Sequence, residues 1–538
     1  MYYTNVLQFL EERAQQYPDR IAFADPNETI SFGELARRAQ LIGLQLAKDV
    51  PPGAPVAFYM EKCVPAVCAM FGAVYAGGFY SFIDVRQPAA RAQKALSVLE
   101  PAVLITDNAN LEKIPELAFE GKVLHREDLM ALNEIRMEAA DALLLNEIST
   151  ETTETTLQDE IRTSDTLPAP LKEIRTKVTD TAPLYVNFTS GSTGTPKGVA
   201  VSHRSVIEFI SHFAPLFGID ASDVIANQAP FDFDVSVKDI YSGLFTGARV
   251  QLIPREYFSA PTVLMDYLCD QHVTTLIWAV SAMCFVSIMN GLQYRVPDSV
   301  RRVMFSGEVM PVKQLKVWQQ YLPDTQFVNL YGPTEITCNC TYYILPKDKE
   351  FSLTDIIPAG IPFPNEKVFL LDENDSLVTP GMPDRDGEIC VGGTCLALGY
   401  YRNPEKTAEA FVRNPLSDAW PETIYRTGDI GRYDGEGNLV YVSRKDFQIK
   451  HMGHRIELGE IEAGAMAAEG VSRACCLYDQ AKKRLLLFYT GSVDKKTLAD
   501  ELHTSLPPFM VPNRITQLEE MPLNKNGKID RNLLMNMK

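Results

Sequence analysis

One segment combines the residue types that bind phosphate groups: LYVNFTSGSTGTPKGVAVSH, residues 184–203. Glycines let the backbone approach phosphate oxygens closely, hydroxyl groups donate hydrogen bonds, and Lys197 supplies a positive charge. A Walker A loop needs lysine directly after glycine and a serine or threonine directly after that lysine. Here Pro196 precedes the lysine and Gly198 follows it, which argues against a P-loop ATPase or kinase. The segment indicates another kind of polyphosphate loop, with a Gly/Ser-rich surface turn as the alternative.

Bulk composition limits the class of protein that could use such a loop. The chain has 538 residues, of which 46% are hydrophobic and 22% charged, as in ordinary globular proteins, and this length predicts two or more domains. The net charge of −18 argues against nucleic-acid and anionic-membrane partners, because both need clustered lysine and arginine. A bound nucleotide is compatible with this charge because it needs only a local site.

Targeting and metal signals give little support for a membrane, secreted or zinc protein. The first 20 residues place charges inside an apolar pattern and lack a basic start, so they predict an amphipathic helix rather than a signal peptide. No uncharged run of about 18 apolar residues occurs, so we expect no membrane insertion and, by default, a cytoplasmic location. The ten cysteines and seven histidines are scattered without zinc-site spacing, which predicts reduced structural thiols and no metal cluster.

The elements that would position the loop follow an α/β pattern. Short apolar runs alternate with helical segments over residues 56–107 and again after the loop, which predicts largely parallel or mixed sheets. After about Asp355, glycine-punctuated segments predict an antiparallel β subdomain. We predict a large N-terminal domain over residues 1–445 and a small α+β C-terminal domain over 446–538, with a Thr/Glu-rich insertion at about 145–170.

Several long motifs occur in a fixed order. After TSGSTGTPKGV come NLYGPTEIT, GEICVGG, LGYYRNPEKTAEAF, YRTGDIGRYDGEGNLVYVSRKDFQIKHMGHRIELGEIE and MPLNKNGKIDR. Together they resemble the adenylate-forming superfamily, which contains acyl-CoA synthetases, luciferases and adenylation domains of non-ribosomal peptide synthetases. The resemblance implies that a substrate carboxylate attacks the α-phosphate of ATP, that pyrophosphate leaves, and that a thiol then attacks the acyl-adenylate. It also implies Mg²⁺ as a cofactor beside ATP.

The same resemblance assigns roles to residues of this chain. Lys528 matches the catalytic lysine that bridges the carboxylate and the α-phosphate, and Lys525 is the nearby alternative. Thr334 and Glu335 are expected at the phosphates, with Glu335 as the metal ligand. The residues implied in ATP binding are Thr189, Ser190, Gly191, Ser192, Thr193, Gly194, Lys197, Gly307, Glu308, Asn329, Leu330, Tyr331, Gly332, Asp429, Arg444 and Lys450.

Within that set the resemblance gives individual tasks. Tyr331 offers a face for the adenine and Asn329 an amide for its edge, while Asp429 accepts the ribose hydroxyls with help from Arg444. Asp446 matches the hinge at which the small, mobile domain rotates between the two half-reactions. That rotation would move the catalytic lysine away and bring the segment around Gly453 towards the acceptor thiol.

The stretch NQAPFDFDVSVKDIYSGL carries information about the substrate. Asp234 matches the aspartate that pairs with the α-ammonium in peptide-synthetase-type enzymes, which favours an amino acid over a simple acyl chain. The local pattern is most similar to stand-alone D-alanine–carrier-protein ligases. By position, the residues that line the pocket are Asp234, Val235, Lys238, Ala282, Met304, Ser306, Leu330, Cys338 and Asn339.

The pocket departs from the D-alanine ligases at two positions. Ser306 stands where they have cysteine, and Lys238 stands where they have an apolar residue. A buried lysine without an anion is costly, so Lys238 pairs with an acidic substrate side chain, reaches solvent, or pairs with Asp239. We favour the last two interpretations from the sequence.

The sequence therefore predicts an ATP-dependent ligase that activates D-alanine or another small or acidic amino acid. Because the chain ends ten residues after Lys528 without a carrier-domain motif, we expect the acceptor to be the phosphopantetheine thiol of a separate carrier protein, or coenzyme A. An acyl-CoA synthetase is the alternative, which Asp234 disfavours. A catalytically inactive binding protein is disfavoured by the intact Lys528, Glu335, Asp429 and Lys197.

Overall fold

The computed structural model describes residues 2–132, 167–190, 195–382, 384–445, 448–523 and 529–537. Four of the predictions fall outside these residues: Gly191–Gly194 of the phosphate loop, the hinge Asp446, the catalytic Lys528, and residues 145–166 of the insertion.

The first described segment alternates helices and short strands, as the apolar pattern predicts. Its elements are α1 (Leu7–Gln16), β1 (Ile21–Ala24), β2 (Thr29–Ser31), α2 (Phe32–Leu46), β3 (Pro55–Tyr59), α3 (Val64–Tyr75), β4 (Phe79–Phe82), α4 (Ala89–Leu99), β5 (Val103–Thr106), the 3₁₀-helix Leu111–Leu117, β6 (Lys122–His125) and α5 (Arg126–Met130).

The middle of the chain continues the α/β alternation. It contains α6 (Ala169–Lys177), β7 (Pro183–Thr189), β8 (Lys197–Ser202), α7 (His203–Leu216), β9 (Val224–Asn227), α8 (Val235–Thr246), β10 (Arg249–Leu252), the 3₁₀-helix Arg255–Ser259, α9 (Pro261–Asp270), β11 (Thr275–Ala279), α10 (Val280–Ile288), α11 (Gly291–Tyr294), β12 (Arg302–Ser306), α12 (Val312–Tyr321), β13 (Gln326–Tyr331), the 3₁₀-helix Thr334–Ile336 and β14 (Thr341–Ile344). Helix α6 already begins at Ala169 and buries Leu171, so the last two residues of the predicted insertion are helical.

The remaining segment is mostly strand until its last hundred residues. It contains β15 (Ile361–Pro362), β16 (Glu366–Leu371), β17 (Leu377–Val378), β18 (Gly387–Gly393), β19 (Gly399–Tyr400), α13 (Pro404–Ala410), β20 (Phe411–Arg413), β21 (Thr423–Tyr433), β22 (Leu439–Arg444), β23 (Gln448–His451), β24 (His454–Glu457), α14 (Leu458–Met466), β25 (Val471–Asp479), β26 (Arg484–Gly491), α15 (Lys495–Ser505), the 3₁₀-helix Pro508–Met510, β27 (Arg514–Gln517) and α16 (Arg531–Asn536).

Two large sheets carry the N-terminal part. One has the order β15-β14-β13-β12-β11-β9-β10-β1-β2, with parallel pairing from β13 to β1 and antiparallel strands at its ends. The other has the order β19-β8-β7-β4-β3-β5-β6 and is parallel from β7 to β6. Parallel strands flanked by helices bind ligands beyond their carboxyl ends, so this topology directs attention to the loops after β9, β11, β12 and β13.

The later strands form smaller units. Strands β17, β16, β18, β21 and β20 make an antiparallel sheet, with β22 paired to β21, as predicted for the region after Asp355. The last part pairs β23 with β24 and forms a three-stranded sheet in which β26 lies between β25 and β27. It has its own apolar core that includes Ile461, Cys476, Leu487 and Leu498. The predicted α/β class with parallel and mixed sheets is confirmed.

Two further sequence expectations concern membranes and thiols. Within the described ranges, the structure has no helix that is long and apolar enough to span a membrane. All ten cysteines are described, and each is a free thiol.

Candidate active site

The candidate site lies at the carboxyl ends of β12 and β13. Strand β12 ends at Ser306, and Gly307 turns the chain with a positive φ of 96°. Strand β13 ends at Tyr331, and Gly332 follows at a point of very close packing, where an added Cβ would lie 2.5 Å from the Cα of Asn339. Only glycine fits there, so YGPTE delivers Thr334 and Glu335 to a fixed position beside the end of the sheet.

The residues predicted for adenosine come together from four strands, β13, β21, β22 and β23. The hydroxyl of Tyr331 donates a hydrogen bond to Asp429 Oδ2 at 2.6 Å, and Arg444 Nη1 donates to Asp429 Oδ1 at 2.6 Å. Asp429 and Arg444 face each other in the register of β21 and β22. Lys450 Nζ lies 5.6 Å from the centroid of the Tyr331 ring. The pKa of Tyr331 is raised well above its usual value, mainly by burial and further by the adjacent Asp429 carboxylate. The Tyr331 hydroxyl therefore keeps its proton.

Asn329 has a different immediate partner from the one expected. Its side-chain amide donates to the backbone oxygen of Pro358 at 2.8 Å and, more weakly, to that of Ile357 at 3.4 Å. The amide hydrogens are therefore used in fixing the segment before β15. The side-chain oxygen is the group of Asn329 that is left for an adenine edge.

Glu335, the predicted metal ligand, is completely buried and heavily bonded. Arg455 Nη1 donates to both of its carboxylate oxygens, at 2.9 and 2.8 Å, and Tyr400 Oη donates to Oε1 at 2.8 Å. Burial alone would raise the pKa of Glu335, but Arg455 and Tyr400 outweigh it and hold that pKa below its usual range. The carboxylate is thus ionised and held by protein groups.

The strand that carries Arg455 also contacts the phosphate-loop residues. Ser190 Oγ donates to the backbone oxygen of Arg455 at 2.8 Å and accepts from the backbone N–H of Glu457 at 3.2 Å. Lys197 Nζ forms an ion pair with Glu457 Oε1 at 3.5 Å. We call residues 455–457 the clamp segment. Three side chains predicted to hold the triphosphate and its metal, Ser190, Lys197 and Glu335, are therefore in contact with it.

The turn between β23 and β24 reaches the other edge of the site. The backbone N–H of Gly453 donates to Glu308 Oε1 at 2.6 Å, and Lys483 lies 3.5 Å from Glu308 Oε2. Gly453 has φ +82°, and an added Cβ would lie 3.1 Å from Ser281 Oγ. The Gly453 segment therefore lies against the start of α10. Farther out, an ion pair between Arg91 and Glu460 also joins the large and small parts.

The predicted amino-acid aspartate lies at the start of α8. Asp234 is the residue before this helix and is only 7% exposed. The thiol of Cys338 donates to the backbone oxygen of Asp234 at 3.0 Å. Burial, the largest effect, raises the pKa of Asp234, while Thr334 and Lys238 oppose that rise.

Lys238 lies one helical turn after Asp234 and is 0% exposed. Its ammonium donates to Asn339 Oδ1 at 2.7 Å and to Ser306 Oγ at 3.3 Å. Asp239 instead accepts from Asn227 Nδ2 at 2.7 Å, and Lys238 forms no ion pair with any described carboxylate. Both interpretations favoured from the sequence, solvent and Asp239, are therefore wrong.

The remaining pocket residues are apolar and divide between two cores. Met304, Leu330 and Cys338 are buried in the core that also contains Tyr185 and Tyr241. Ala282 is buried in a second core beside Met283, and Val235 is buried at the start of α8. The predicted pocket residues therefore form two hydrogen-bonded groups, Lys238 with Ser306 and Asn339, and Cys338 with the backbone of Asp234.

Sequence reasoning missed two residues that contact Glu335. Arg455 and Tyr400 both lie inside motifs of the ordered set, GHRIELGEIE and LGYYRN, but received no role. Their residue types are the available signal, since a guanidinium and a phenol are natural donors to a buried carboxylate. Which carboxylate they would reach depends on the three-dimensional fold.

Known proteins are similar to this chain in fold and in sequence. One similar structure is the Vibrio cholerae adenylation domain AlmE, solved in complex with glycyl-adenosine-5'-phosphate. It matches with a TM-score of 0.80 at 21% identity, and the match covers 100% of this chain and 98% of that one. The two proteins therefore share one fold, with a large N-terminal and a small C-terminal part. The L-proline--(L-prolyl-carrier protein) ligase of Streptomyces coelicolor is 32% identical over 536 residues, covering 98% of this chain and 95% of that protein.

Longer proteins also match. Tyrocidine synthase 1 of Brevibacillus parabrevis is 30% identical over 539 residues, which is 98% of this chain but 45% of that protein. The chain spans less than half the length of this and several other synthases that it matches. The family model for the AMP-binding enzyme matches residues 10–401, most of the chain. The resemblance read from the motifs is thereby confirmed, and the protein belongs to the AMP-binding family of adenylate-forming enzymes.

Proposed function

We propose that this protein activates an amino acid with ATP as an aminoacyl-adenylate and transfers the aminoacyl group to the phosphopantetheine thiol of a carrier protein. One observation carries the proposal: the buried Asp234 lies against the segment that follows YGPTE, where the thiol of Cys338 donates to its backbone oxygen at 3.0 Å and the nearby Thr334 hydroxyl lowers the pKa of its carboxyl. An anionic group suited to an α-ammonium thus lies beside a group suited to the phosphates. A substrate bound there would present its carboxylate to the α-phosphate of ATP.

The adenosine end of the proposed site is preorganised. Asp429 is 1% exposed and already fixed by Tyr331 and Arg444, so its carboxylate needs little rearrangement to accept ribose hydroxyls. A fixed acceptor stabilises a bound diol without the entropy cost of ordering a free side chain. The substrate carboxylate is itself the nucleophile, so this chain supplies position and charge rather than an attacking group.

Glu335 is the donor that fits Mg²⁺, a hard cation that prefers oxygen ligands and bridges substrate phosphates. When bound, Mg²⁺ would neutralise phosphate charge during adenylation. In the described arrangement both carboxylate oxygens of Glu335 accept from Arg455. Arg455 and Tyr400 take three of the roughly four acceptor positions of Glu335, so we infer that Arg455 withdraws when Glu335 acts as a metal ligand. We infer the same movement for triphosphate binding by Ser190 and Lys197, whose polar atoms contact the clamp segment.

We infer that the described arrangement serves the second half-reaction. The clamp segment contacts side chains that would hold the triphosphate in the first, and the Gly453 turn lies against Glu308 and Ser281. In the second half-reaction the thiol sulfur attacks the acyl carbon, the bond from that carbon to the phosphate oxygen breaks, and AMP leaves. The small domain would rotate about the predicted hinge, Asp446, between the two arrangements.

A carrier protein is the proposed acceptor because the L-proline ligase, matched along 95% of its length, is named for one. An acyl-CoA synthetase is the second candidate within the family. Asp234 argues against it, since a neutral acyl chain offers this buried carboxylate no charged or hydrogen-bonding partner, whereas an α-ammonium offers both.

The test is ATP–pyrophosphate exchange with the purified protein and single substrates: the proteinogenic amino acids, D-alanine, and a set of simple carboxylic acids. Exchange with at least one amino acid is expected. Exchange with carboxylic acids but with no amino acid would contradict the proposal and favour the acyl-CoA synthetase. Mass spectrometry of a phosphopantetheinylated carrier and of coenzyme A, offered together, then identifies the acceptor.

A further inference from the structure

The side-chain pocket contains a buried ammonium that forms no ion pair with a described carboxylate. We propose that the site takes an amino acid whose side chain ends in a carboxylate, and that Lys238 pairs with this carboxylate. The inference rests on the proposed function and names the substrate class for it. Lys238 is accordingly a specificity-determining residue.

The first step concerns the hydrogen-bonding capacity of Lys238. An ammonium has three N–H donors, and two of them reach neutral acceptors, Asn339 Oδ1 and Ser306 Oγ. No acceptor among the described residues takes the third. With the side chain completely buried, water cannot compensate for the missing charge. The position therefore suits an anion supplied from outside the chain.

The second step concerns the neighbours of Lys238. Because Asn339 Oδ1 accepts from the ammonium, its amide nitrogen points elsewhere, and that nitrogen has no acceptor within the described part of the chain. The hydroxyl of Ser306 likewise accepts from Lys238 and donates to no described residue. The ammonium and the Ser306 hydroxyl thus keep two unused donors side by side, and a carboxylate offers about four acceptor positions on two oxygens.

The third step concerns the two nearest carboxylates in the described part of the chain. Neither forms a hydrogen bond or an ion pair with Lys238: Asp239, about 100° away around the helix, accepts from Asn227, and both Asp234 and Asp239 act on the ammonium only through their charge. Asp234 and Lys238 are four residues apart and share one face of α8. A substrate whose α-ammonium pairs with Asp234 can therefore extend its side chain along that face to Lys238. The pocket pairs one anion and one cation with the two opposite charges of an acidic amino acid.

A small neutral substrate such as D-alanine would leave both of these donors unused. An amide side chain could accept from them through its carbonyl oxygen, but would leave the ammonium without an ion-pair partner. The acid–amide pairs, aspartate against asparagine and glutamate against glutamine, thus separate charge from shape most directly.

The test is ATP–pyrophosphate exchange by the full-length protein with aspartate, glutamate, asparagine, glutamine, alanine and glycine, in both stereoisomers where these exist. We expect one acidic amino acid to have the highest kcat/KM, exceeding that of its own amide by roughly 100-fold or more, because a site built for a polar partner rejects the analogue that lacks it. Lys238→Met should remove this preference. Lys347→Met, at an exposed position, is the matched control and should keep it.

The outcomes separate the two claims. Activation of a neutral amino acid with no exchange for either acid would overturn the inference and leave the proposed function standing. Exchange with no amino acid would overturn both. If Lys238→Met fails to fold, the ratio of kcat/KM for the acid to kcat/KM for its amide is measured in the unaltered protein and in Asn339→Ala instead. A ratio near one in the unaltered protein contradicts the inference.

Discussion

The proposed nucleotide site and the proposed side-chain pocket satisfy their polar groups in opposite ways. In the nucleotide site protein groups pair with each other: Asp429 with Arg444, Glu335 with Arg455, and Lys197 with Glu457. In the pocket, Lys238 has only neutral hydrogen-bond partners and spare donors.

This difference has a physical consequence. A triphosphate that binds Lys197 and Glu335 competes with their partners in the clamp segment, which ties its binding to movement of that segment. A side chain that reaches Lys238 finds donors already in place and adds a negative charge that the described residues do not pair with it. We therefore expect nucleotide binding to be coupled to domain position, and side-chain recognition to be largely preorganised.

The largest expected effect concerns the catalytic cation. Lys528→Ala should lower the rate of amino-acid-dependent ATP–pyrophosphate exchange by about 1000-fold, because a positive charge at the developing negative charge is lost. Transfer from preformed aminoacyl-adenylate to the carrier should be much less affected. Lys525→Ala is the matched control, and equal losses in the two variants would show that the catalytic assignment is wrong.

The clamp segment supplies the next test of the comparison. Arg455→Met should slow thioester formation by roughly 30-fold, but it should leave the rate of ATP–pyrophosphate exchange within a few-fold of that of the unaltered protein. The reason is that Arg455 bonds Glu335 in the described arrangement, and breaking a close charge pair costs about 2 kcal/mol or more. Single-turnover transfer of a labelled amino acid measures the second step. The exposed Arg473, replaced by methionine, is the control. A loss confined to exchange would contradict the assignment of this arrangement to the second half-reaction.

The pH dependence of amino-acid recognition should report Asp234. Its pKa is raised, chiefly by burial, and the carboxylate must be ionised to pair with an α-ammonium. The value of kcat/KM for the amino acid should therefore fall about tenfold per pH unit once pH drops below that raised pKa. In Asp234→Asn this acid limb should disappear. An unchanged limb in that variant would assign it to another group.

The smallest effect is expected at Tyr400. Tyr400→Phe removes one hydrogen bond to Glu335, so the free energy of unfolding should fall by about 1–2 kcal/mol and exchange should change only a few-fold. Denaturant melts measure the first quantity. Tyr401→Phe, whose ring packs against Phe79, is the matched control. A loss above about 100-fold would give Tyr400 a direct part in the reaction.

The same comparison shows what the sequence could predict. Asp429 and Arg444 lie on adjacent strands of one hairpin, so their motif placed them together correctly. Asn339 is 101 residues from Lys238, and Arg455 is 120 residues from Glu335, so these contacts depend on how strands and the small domain pack. Whether a lysine reaches solvent or a given aspartate also depends on the tertiary fold. For that reason the two interpretations of Lys238 favoured from the sequence, solvent and Asp239, were wrong.

Family membership and the α/β architecture were predictable because they depend on long motifs and on apolar periodicity along the chain. The roles of Lys528, Asp446 and the phosphate-loop glycines stay predictions, since these residues lie outside those the structure describes.

The central claim, that Asp234 makes this an amino-acid-activating enzyme, is tested most directly by one matched pair in ATP–pyrophosphate exchange. The best amino acid is compared with the same acid lacking its α-amino group. We predict at least about 100-fold higher kcat/KM for the amino acid, because its ammonium alone can pair with the buried carboxylate. Equal or faster exchange with the des-amino acid would contradict the account.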